Sequence, residues 1–488
     1  MSLMRYFLRE KEQRMNISRM DRREMLRMLA GGIGMIALGG ASPNCADMPH
    51  RPSKKTAKRP NIVLTLADDL GYSDVGCYGG EIATLNLDRM AEEGIRFTQF
   101  YSCARGCPLR ASLLTGLYPH QTGIGYMTDP EFNFGKPGYR GALNRRCVTI
   151  AEALKLGGYY TLMVGKWHVG REKGMWPVDR GFDDYYGILH GASSYFKVGT
   201  DAMLARNREL VQPERERYYT TDAFTHYAVT FINEHANKDG RPYLLYVAYT
   251  APHLPLHAFP EDIAKYKGKY LIGWDELRLQ RLERQKRLGL FDSSCPLTPR
   301  DTEVRPWEQV KNKEEWDLRM AVYAAMVDRM DWNIGCILDA IKRTGGEQNT
   351  LVMFLSDNGA CPESFELAPG VPPGPAESCS GYYVPWANAS NTPYRRYKHW
   401  VHEGGIATPF IVRWPAVIAN RGGITRQVGH VIDLMATFLE IAEGQYPRNN
   451  GNDILPLEGK SLCPIFEGKT RAGHEALFWE HEGNRAVR

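Results

Sequence analysis

The sequence contains few cysteines, and no two of them form a CxxC pair. Its 488 residues include only 10 cysteines, at irregular intervals. A disulfide-stapled scaffold and a structural zinc site both need denser or paired cysteines, so neither is expected. Cys361 and Cys379 flank one loop rich in Pro, Gly and Ser. A disulfide between them and two buried free thiols both fit the sequence.

Long hydrophobic runs, internal repeats and heptads are also lacking. No stretch is long enough to cross a bilayer, so we expect no membrane span. Hydrophobic residues make up 43% and charged residues 24%, close to the globular average, which excludes an intrinsically disordered chain. The length suffices for one large catalytic domain with a substantial core.

The body of the chain lacks an excess of positive charge. The net charge is +5, but the first 60 residues hold thirteen Lys and Arg against five Asp and Glu. That leaves 48 basic and 51 acidic residues in 61–488. We therefore expect no nucleic-acid partner.

The basic excess lies in a segment typical of protein export. Arg22 and Arg23 precede an uncharged stretch, Met28 to Ala41, which resembles a bacterial twin-arginine signal. A basic amphipathic helix is the alternative, but the glycines in 31–40 disfavour it. We predict an export signal over 1–46 and a basic linker over 47–60. The partner would be the export machinery for folded proteins, and the location periplasmic or extracellular.

Four short apolar runs end at polar residues. They are Asn61–Ala67 before Asp68-Asp69, Tyr160–Val164 before Gly165 to His168, Tyr243–Thr250 before Pro252-His253, and Leu351–Ser356 before Asp357-Asn358. Continuous apolar runs of this length are typical of buried parallel strands. Ligands bind beyond the carboxyl ends of such strands, so these polar residues are candidates for a site.

Helical patterns separate the runs. Thr149-Ile150-Ala151-Glu152 forms a capping box, Leu87–Glu93 is a short amphipathic helix, and 221–235 and 315–343 carry apolar faces at helical spacing. The sequence therefore predicts an α/β fold with a mixed, mainly parallel sheet sandwiched by helices. The charged stretch 261–313 is interpreted as a surface insertion, and the Pro-rich stretch 362–393 as an irregular loop near the site.

Oxygen ligands gather at two of the predicted strand ends. Asp68, Asp69, Asp357 and Asn358 supply three carboxylates and one amide, which suits a divalent ion such as Ca²⁺ or Mg²⁺. Alone, Asp68-Asp69 would more often be a turn or a helix cap, and Asp357-Asn358-Gly359 an ordinary turn. The metal prediction therefore depends on the pairing of the two segments.

Cationic and titratable residues complete the candidate site. Lys166, His168, His253 and Lys398 would suit an anionic ester, although each alone is more often a surface or core residue. The run Cys107–Gly116 predicts a loop entering a helix, whose N-terminus favours an anion near Arg110.

The run around Arg110 resembles the sulfatase signature, in which Cys-x-Pro-x-Arg precedes a small residue and Ser-Leu-Leu-Thr-Gly. Further blocks match the family in order: Ala67 to Tyr72, Gly165 to His168, Ala251 to His253, Ser356 to Gly359, and Glu403 to Ile406. The resemblance covers nearly all of the chain after the export segment and implies hydrolysis of sulfate esters.

The resemblance also implies roles for the site residues. Asp68, Asp69, Asp357 and Asn358 would hold the divalent ion, usually Ca²⁺ with Mg²⁺ as the alternative. Arg110 and Lys166 would steady a formylglycine hydrate, and His168 would take its proton. His253 and Lys398 would hold the sulfate and assist the leaving alcohol. The ligand would be a sulfated small molecule or a glycan.

The signature lacks its nucleophile. Counting back from Arg110, the cysteine that the family oxidises to formylglycine falls at position 106, which is Gly106. Cys107 lies one residue too late and Cys103 three too early. Covalent catalysis needs a side chain at this position, and glycine supplies none.

Several functions remain open at this point. The family function is an arylsulfatase-like hydrolase, with formylglycine not formable at Gly106. A first alternative is a catalytically inactive protein that binds sulfated ligands, and a second is a phosphoester or phosphonate hydrolase of the same superfamily. Gly106 itself is interpreted as a natural change, an engineered inactivation or a sequence error.

The end of the chain predicts a small second unit. Asp433–Glu443 is typical of a helix capped by Asp433, and Ala476–Glu480 of a strand. We expect a sulfatase-type catalytic domain over 61–430 and, over 431–488, the start of a C-terminal antiparallel subdomain that ends early. An unpaired sheet edge there would lower stability.

Overall fold

The computed structural model describes residues 59–213, 217–236, 240–364, 366–447 and 453–488. The predicted export signal over 1–46 and the linker over 47–58 lie outside the described residues. Residues Arg59–Arg488 form one compact unit. Among the described helices, none is long and apolar enough to cross a membrane.

The strands follow the apolar runs closely. They are β1 Asn61–Ala67, β2 Ile95–Phe97, β3 Phe100–Tyr101, β4 Tyr160–Gly165, β5 Asp184–Ile188, β6 Leu204–Arg206, β7 Glu209–Leu210, β8 Tyr243–Ala248, β9 Thr350–Ser356, β10 Phe410–Arg413, β11 Gly423–Thr425, β12 Gly429–His430, β13 Phe478–His481 and β14 Asn484–Val487. All four predicted strands are present, each with bounds shifted by no more than two residues.

The α-helices are α1 Leu85–Glu92, α2 Gly106–Thr115, α3 Pro119–Thr122, α4 Ile150–Leu156, α5 Thr220–Ala236, α6 Pro260–Ala264, α7 Gly273–Arg287, α8 Lys313–Arg343, α9 Tyr383–Ser390, α10 Glu403–Ile406, α11 Asp433–Ile441 and α12 Cys463–Phe466. Short 3-10 helices cover Gly76–Tyr78, Pro130–Phe132, Pro177–Arg180, Thr200–Ala202, Lys269–Ile272, Trp307–Gln309 and Glu347–Asn349. The capping box at the start of α4 is formed: the Glu152 amide donates to Thr149 Oγ1 and the Thr149 amide to the Glu152 carboxylate.

Ten strands form one sheet in the order β11-β2-β10-β9-β1-β8-β4-β5-β6-β7. The central strands β9, β1, β8, β4 and β5 are parallel, whereas β10 runs antiparallel to β9 and β6 antiparallel to β5. Two small sheets are separate, the parallel pair β12-β3 and the antiparallel hairpin β13-β14 near the C-terminus. The predicted mixed, mainly parallel sheet is confirmed.

The core lies on both faces of the central strands. Ile62, Leu64 and Leu66 of β1 share a hydrophobic cluster with Leu109 and Leu113 of α2 and with residues of α4 and α11. Val63 on the opposite face is equally buried, and α5 packs against α8 and against β4 and β8. Burial on both faces explains why these strands are apolar at nearly every position.

The interpretation of 261–313 as a surface insertion is wrong for its helical part. Arg281 on α7 is fully buried and donates to Asp74 Oδ1 at 2.6 Å and Glu81 Oε1 at 2.8 Å. Trp274 at the start of the same helix is buried as well. The high charge of this stretch predicted a solvent-exposed segment. One of its arginines, Arg281, instead lies in the interior and pairs with two carboxylates.

Asp433 does not cap its helix as predicted. It is the first residue of α11, and its carboxylate accepts hydrogen bonds from the amides of His430 and Lys460 and ion pairs with Arg471. The buried carboxylate therefore ties the segment after α11 to the start of that helix.

We expect Arg281→Ala to lower the free energy of unfolding by about 3–5 kcal/mol, because it leaves the buried carboxylate of Asp74 without its cation. Urea denaturation followed by circular dichroism measures the change. The exposed Arg287 on the same helix provides the matched control, and Arg287→Ala should change stability by less than about 0.5 kcal/mol. Equal effects of the two substitutions would contradict the interior role of Arg281.

Candidate active site

The site lies where four adjacent parallel strands end. In the sheet order β9-β1-β8-β4, each strand is followed directly by polar residues. Asp357 and Asn358 follow β9, Asp68 and Asp69 follow β1, His253 comes after β8, and Lys166 to His168 follow β4. The register holds these ends level, since the Asp357 amide donates to the Ala67 carbonyl and the Lys166 amide to the Ala248 carbonyl. The predicted meeting of these residues is confirmed.

Three buried carboxylates form the centre of the site. The side chains of Asp68, Asp69 and Asp357 are no more than 2% exposed. The Asp69 amide donates to Asp357 Oδ1 at 2.9 Å, and Asn358 Nδ2 donates to Asp69 Oδ1 at 2.6 Å. Asp69 has a φ of 65°, a left-handed conformation that turns the chain sharply after β1.

Three cationic side chains compensate this negative charge. Lys166 Nζ lies 2.5 Å from Asp68 Oδ2, and Lys398 Nζ lies 2.8 Å from Asp69 Oδ2. The guanidinium of Arg110 lies 3.4 Å from Asp357 Oδ2 and 3.6 Å from Asp68 Oδ2. All three cations are nearly inaccessible to solvent, so the site is a buried charge network and not a surface patch.

The carboxylates do not ionise equally. Burial opposes ionisation of Asp68, but Lys166, His253 and Arg110 more than offset it and lower its pKa. Burial and the negative charge of Asp68 raise the pKa of Asp357 well above its usual value. Of these two carboxylates, Asp68 is therefore the one that ionises more readily.

Two neutral imidazoles face the cluster. Burial and the charge of Lys166 lower the pKa of His168 well below its usual value, and burial also lowers the pKa of His253. His253 Nδ1 lies 2.6 Å from the Leu254 carbonyl oxygen, so Nδ1 carries the proton. Its Nε2 then faces Asp69 Oδ2 at 3.4 Å. Both rings are therefore neutral at neutral pH.

Helix α2 directs its N-terminus at the cluster. Gly106 is its first residue and is buried. A Cβ atom at Gly106 would lie 2.8 Å from Asp357 Oδ2 and 3.8 Å from Asn358 Oδ1. The Cys107 thiol points elsewhere, 3.7 Å from His168 Nε2 and 3.6 Å from Met127 Sδ. Position 106, and not 107, therefore faces the carboxylates.

The donor set fits a hard divalent cation. Ligand atoms of Asp68, Asp69 and His253 all lie within 4.8 Å of one another. Asn358 Oδ1 is buried and has no hydrogen-bond partner, which is unusual for a polar atom in a protein interior. An amide oxygen left open among three carboxylates is a suitable ligand for Ca²⁺ or Mg²⁺.

The sequence analysis did not predict that the carboxylate of Glu363 contacts several cationic or titratable side chains beside the site. Glu363 Oε1 lies 3.3 Å from Lys398 Nζ, 3.4 Å from Arg105 and 3.4 Å from His399 Nε2. Lys398 and Arg105 outweigh burial and lower the pKa of Glu363 well below its usual value. Glu363 lies in the loop predicted as irregular, so no local pattern could show what it contacts. Gly191 was missed too, although its lack of a side chain makes room for the His168 ring.

The thiols of Cys361 and Cys379 are both free. Cys361 lies instead beside Glu363 and Lys398, at 3.3 Å from Glu363 Oε2 and 3.8 Å from Lys398 Nζ. Of the two alternatives that the sequence left open for this pair, the structure has the free thiols.

A parallel sheet with an acidic, cation-compensated cluster at its carboxyl edge defines a hydrolase site for an anionic ester. The family model described as Sulfatase matches residues 60–444. The arylsulfatase of Klebsiella aerogenes is 35% identical over 474 residues, which cover 92% of this chain and 98% of that protein. An uncharacterized sulfatase of Schizosaccharomyces pombe is 35% identical over 471 residues, 88% of this chain and 84% of that protein.

A solved structure agrees with these sequence matches. That of Ps i-CgsB in complex with k-i-k-neocarrahexaose superimposes with a TM-score of 0.65 at 28% identity, covering 88% of this chain and 82% of that one. The chain belongs to the sulfatase family. Its relatives place it in the class of sulfuric ester hydrolases of the arylsulfatase type.

We expect Gly191→Ala to displace the imidazole of His168, because the added Cβ would lie 2.4 Å from His168 Cε1. Overpacking of this kind costs about 1–3 kcal/mol, which thermal unfolding would show as a lowered Tm. Gly199, with no atom within 4 Å of an added Cβ, is the matched control. An unchanged Tm and an unmoved His168 resonance in Gly191→Ala would contradict the contact.

Proposed function

We propose that this site binds the sulfate group of a sulfated glycan or aryl ester beside a divalent cation, Ca²⁺ in preference to Mg²⁺. We further propose that it cannot hydrolyse the ester by the covalent route of its family, because position 106 has no side chain. The orientation of Gly106 toward Asp357 is the observation that carries this proposal.

Asp68, Asp69, Asp357 and Asn358 would hold the cation. Their oxygen donors and the unpaired Asn358 Oδ1 support this assignment. The bound cation would offset negative charge on the sulfate and on the carboxylates. The open Nε2 of His253 faces the same cluster and supports a role for this histidine next to the cation.

Arg110, Lys166 and Lys398 would bind the sulfate oxygens. All three are buried. Burial opposes the charge of Lys398, but Asp69 more than offsets this effect and raises the pKa of Lys398. Charges in such a low-dielectric site act strongly on an anion that enters it. His168, kept neutral by burial, would accept a proton from the attacking group, and His253 would assist the leaving alcohol.

The missing nucleophile limits turnover. In the family's route a side chain at position 106 attacks sulfur, and Gly106 has none. The Cys107 thiol is directed at His168 and Met127, and Cys103 lies beside Ser112. Neither thiol faces the carboxylates, so we infer that water is the nucleophile left to the part of the site that the structure describes, and that the site acts mainly as a sulfate-ester binding site.

The proposal that the ligand is a glycan is based on a similar protein. Ps i-CgsB has been solved with k-i-k-neocarrahexaose, and we extend an oligosaccharide ligand to this chain. We also propose that residues 1–46 direct export through the twin-arginine route, which the paired Arg22-Arg23 and the following Gly-rich stretch support.

We expect Gly106→Cys, co-expressed with a formylglycine-generating enzyme, to hydrolyse a chromogenic aryl sulfate at least about 100-fold faster than the unchanged chain, since covalent catalysis is restored. Gly106→Ala is the matched control. It adds the same Cβ beside Asp357 without a reactive group, and it should remain as slow as the unchanged chain.

Two results would overturn this proposal. Rapid turnover by the unchanged chain would mean that water or another group replaces the nucleophile efficiently. A matured Cys variant that releases phosphate or phosphonate from matched esters faster than sulfate would assign the site to a different anion.

We expect Ca²⁺ to raise the Tm of the unchanged chain and to be required for binding of a sulfated oligosaccharide. A ligand that binds only the folded state stabilises it by about 2.7 kcal/mol at a concentration 100 times its Kd. Asp357→Ala should abolish the Ca²⁺ effect, whereas Asp339→Ala, at an exposed position of α8, should keep it. Differential scanning calorimetry measures the shifts, and Ca²⁺-independent binding of the oligosaccharide would contradict the proposal.

A further inference from the structure

A second cluster of metal-binding side chains lies outside the carboxylate site. His399, His481 and Glu482 each offer one ligand atom, and these atoms all lie within 4.8 Å of one another. His399 follows Lys398 directly, whereas His481 and Glu482 belong to the C-terminal hairpin β13-β14. The cluster therefore joins the segment that carries Lys398 to a distant part of the chain.

The most informative member is His481. Its side chain is almost completely buried, at 2% exposure, and neither ring nitrogen has a hydrogen-bond partner. Burial lowers the pKa of His481 to about 3, so the ring is neutral. A neutral imidazole has one N–H donor and one acceptor nitrogen, and both lack a partner here. A buried imidazole with two open nitrogens is costly unless another group binds it.

Backbone conformation points to two of these three residues. His399 has a φ of 81° and Glu482 a φ of 52°, both in the left-handed region that bulky residues avoid. Glu482 and Gly483 form the two-residue turn of the hairpin, where Asn or Gly is the usual first residue. Non-glycine residues held in such conformations concentrate at functional sites, and here they direct two side chains into one cluster.

The chemistry of the set selects the class of ion. Two neutral imidazoles and one carboxylate are ligands for first-row transition metals, whereas Ca²⁺ and Mg²⁺ prefer oxygen alone. Glu482 supplies the carboxylate of this set. Its Oε1 accepts a hydrogen bond from Tyr126 at 2.5 Å, and Oε2 lies 3.9 Å from His399 Nδ1.

Arg105 is the group that opposes a cation here. Its guanidinium lies 2.5 Å from His399 Nδ1 and 2.9 Å from Nε2. It also has an ionic partner in Glu363 at 3.4 Å, and this carboxylate adds negative charge on the same side of His399. Arg105 can keep Glu363 as its partner when a metal takes one nitrogen of His399.

We propose that His399, His481 and Glu482 form a binding site for a first-row transition metal ion, represented by Zn²⁺, that clamps the C-terminal hairpin against the segment carrying Lys398. Three protein ligands leave a fourth position for water, as in open zinc sites. The site is separate from the oxygen-rich cluster of Asp68, Asp69 and Asp357 and does not depend on the proposed sulfate chemistry.

The test is a Zn²⁺ titration of the full chain saturated with Ca²⁺, followed by isothermal calorimetry. We expect one saturable Zn²⁺ site in the unchanged chain. His481→Ala should weaken it by at least about 100-fold, because even the loss of a residue that only supports a ligand costs 10–100-fold. His402→Ala removes an exposed histidine three residues after His399 and should leave it unchanged.

Two further variants keep the test decisive. Glu482→Gln preserves the size of the side chain and should also weaken Zn²⁺ binding, even if His481→Ala disturbs the hairpin. Arg105→Gln removes the opposing charge and should tighten binding. With Co²⁺ as the probe, the unchanged chain should show visible d–d absorption that His481→Ala lacks.

The outcomes separate this proposal from the sulfate proposal. Asp357→Ala should lose the Ca²⁺ response and keep the Zn²⁺ site. Absence of saturable Zn²⁺ binding in the Ca²⁺-loaded chain, or equal binding by the unchanged chain, His481→Ala and Glu482→Gln, would overturn the proposed metal site while leaving the sulfate site untouched.

Discussion

Compensation of buried charge is the constraint on which the site depends. Asp68, Asp69 and Asp357 are forced together because parallel strands β1 and β9 end at the same level of the sheet. Carboxylates so close in a dry interior repel one another, and the penalty is tolerable only with cations at contact distance. Arg110, Lys166 and Lys398 are those cations, and they arrive from a helix, a third strand end and a late loop. The fold and the charge balance therefore depend on each other.

Much of this arrangement can be predicted from the sequence because it follows from local patterns. One apolar run stops at Asp68-Asp69 and a second stops at Asp357-Asn358. These two boundaries predict where the strands end and which polar residues follow them. Parallel pairing then makes these ends neighbours. The signature around Arg110 adds the helix whose N-terminus faces the cluster. None of these inferences required knowledge of long-range packing beyond the order of strands in a parallel sheet.

Other features could not be predicted because they depend on where loops run. Glu363 lies in an irregular segment, and its cationic partners Arg105 and Lys398 precede or follow it by at least 35 positions. Arg281 looks like a solvated helix residue in a charged stretch, yet Asp74 and Glu81 make it an interior cation. The hairpin residues His481 and Glu482 reach His399 across the fold. Sequence patterns report the period of an element and not its distant partners.

Charge compensation constrains the positions of this site unequally. Loss of Lys398 or Arg110 would leave the buried carboxylate of Asp69 or Asp357 without its cation, which costs about 3–5 kcal/mol. Loss of Lys166 would leave Asp68 only the more distant guanidinium of Arg110. The stability of the fold therefore requires these residues, in addition to any requirement from function. Position 106 is different, because glycine there removes no charge and the first residue of a helix needs no side chain to form the helix. Glycine at position 106 therefore removes the family's covalent route and leaves every buried ion pair of the site intact.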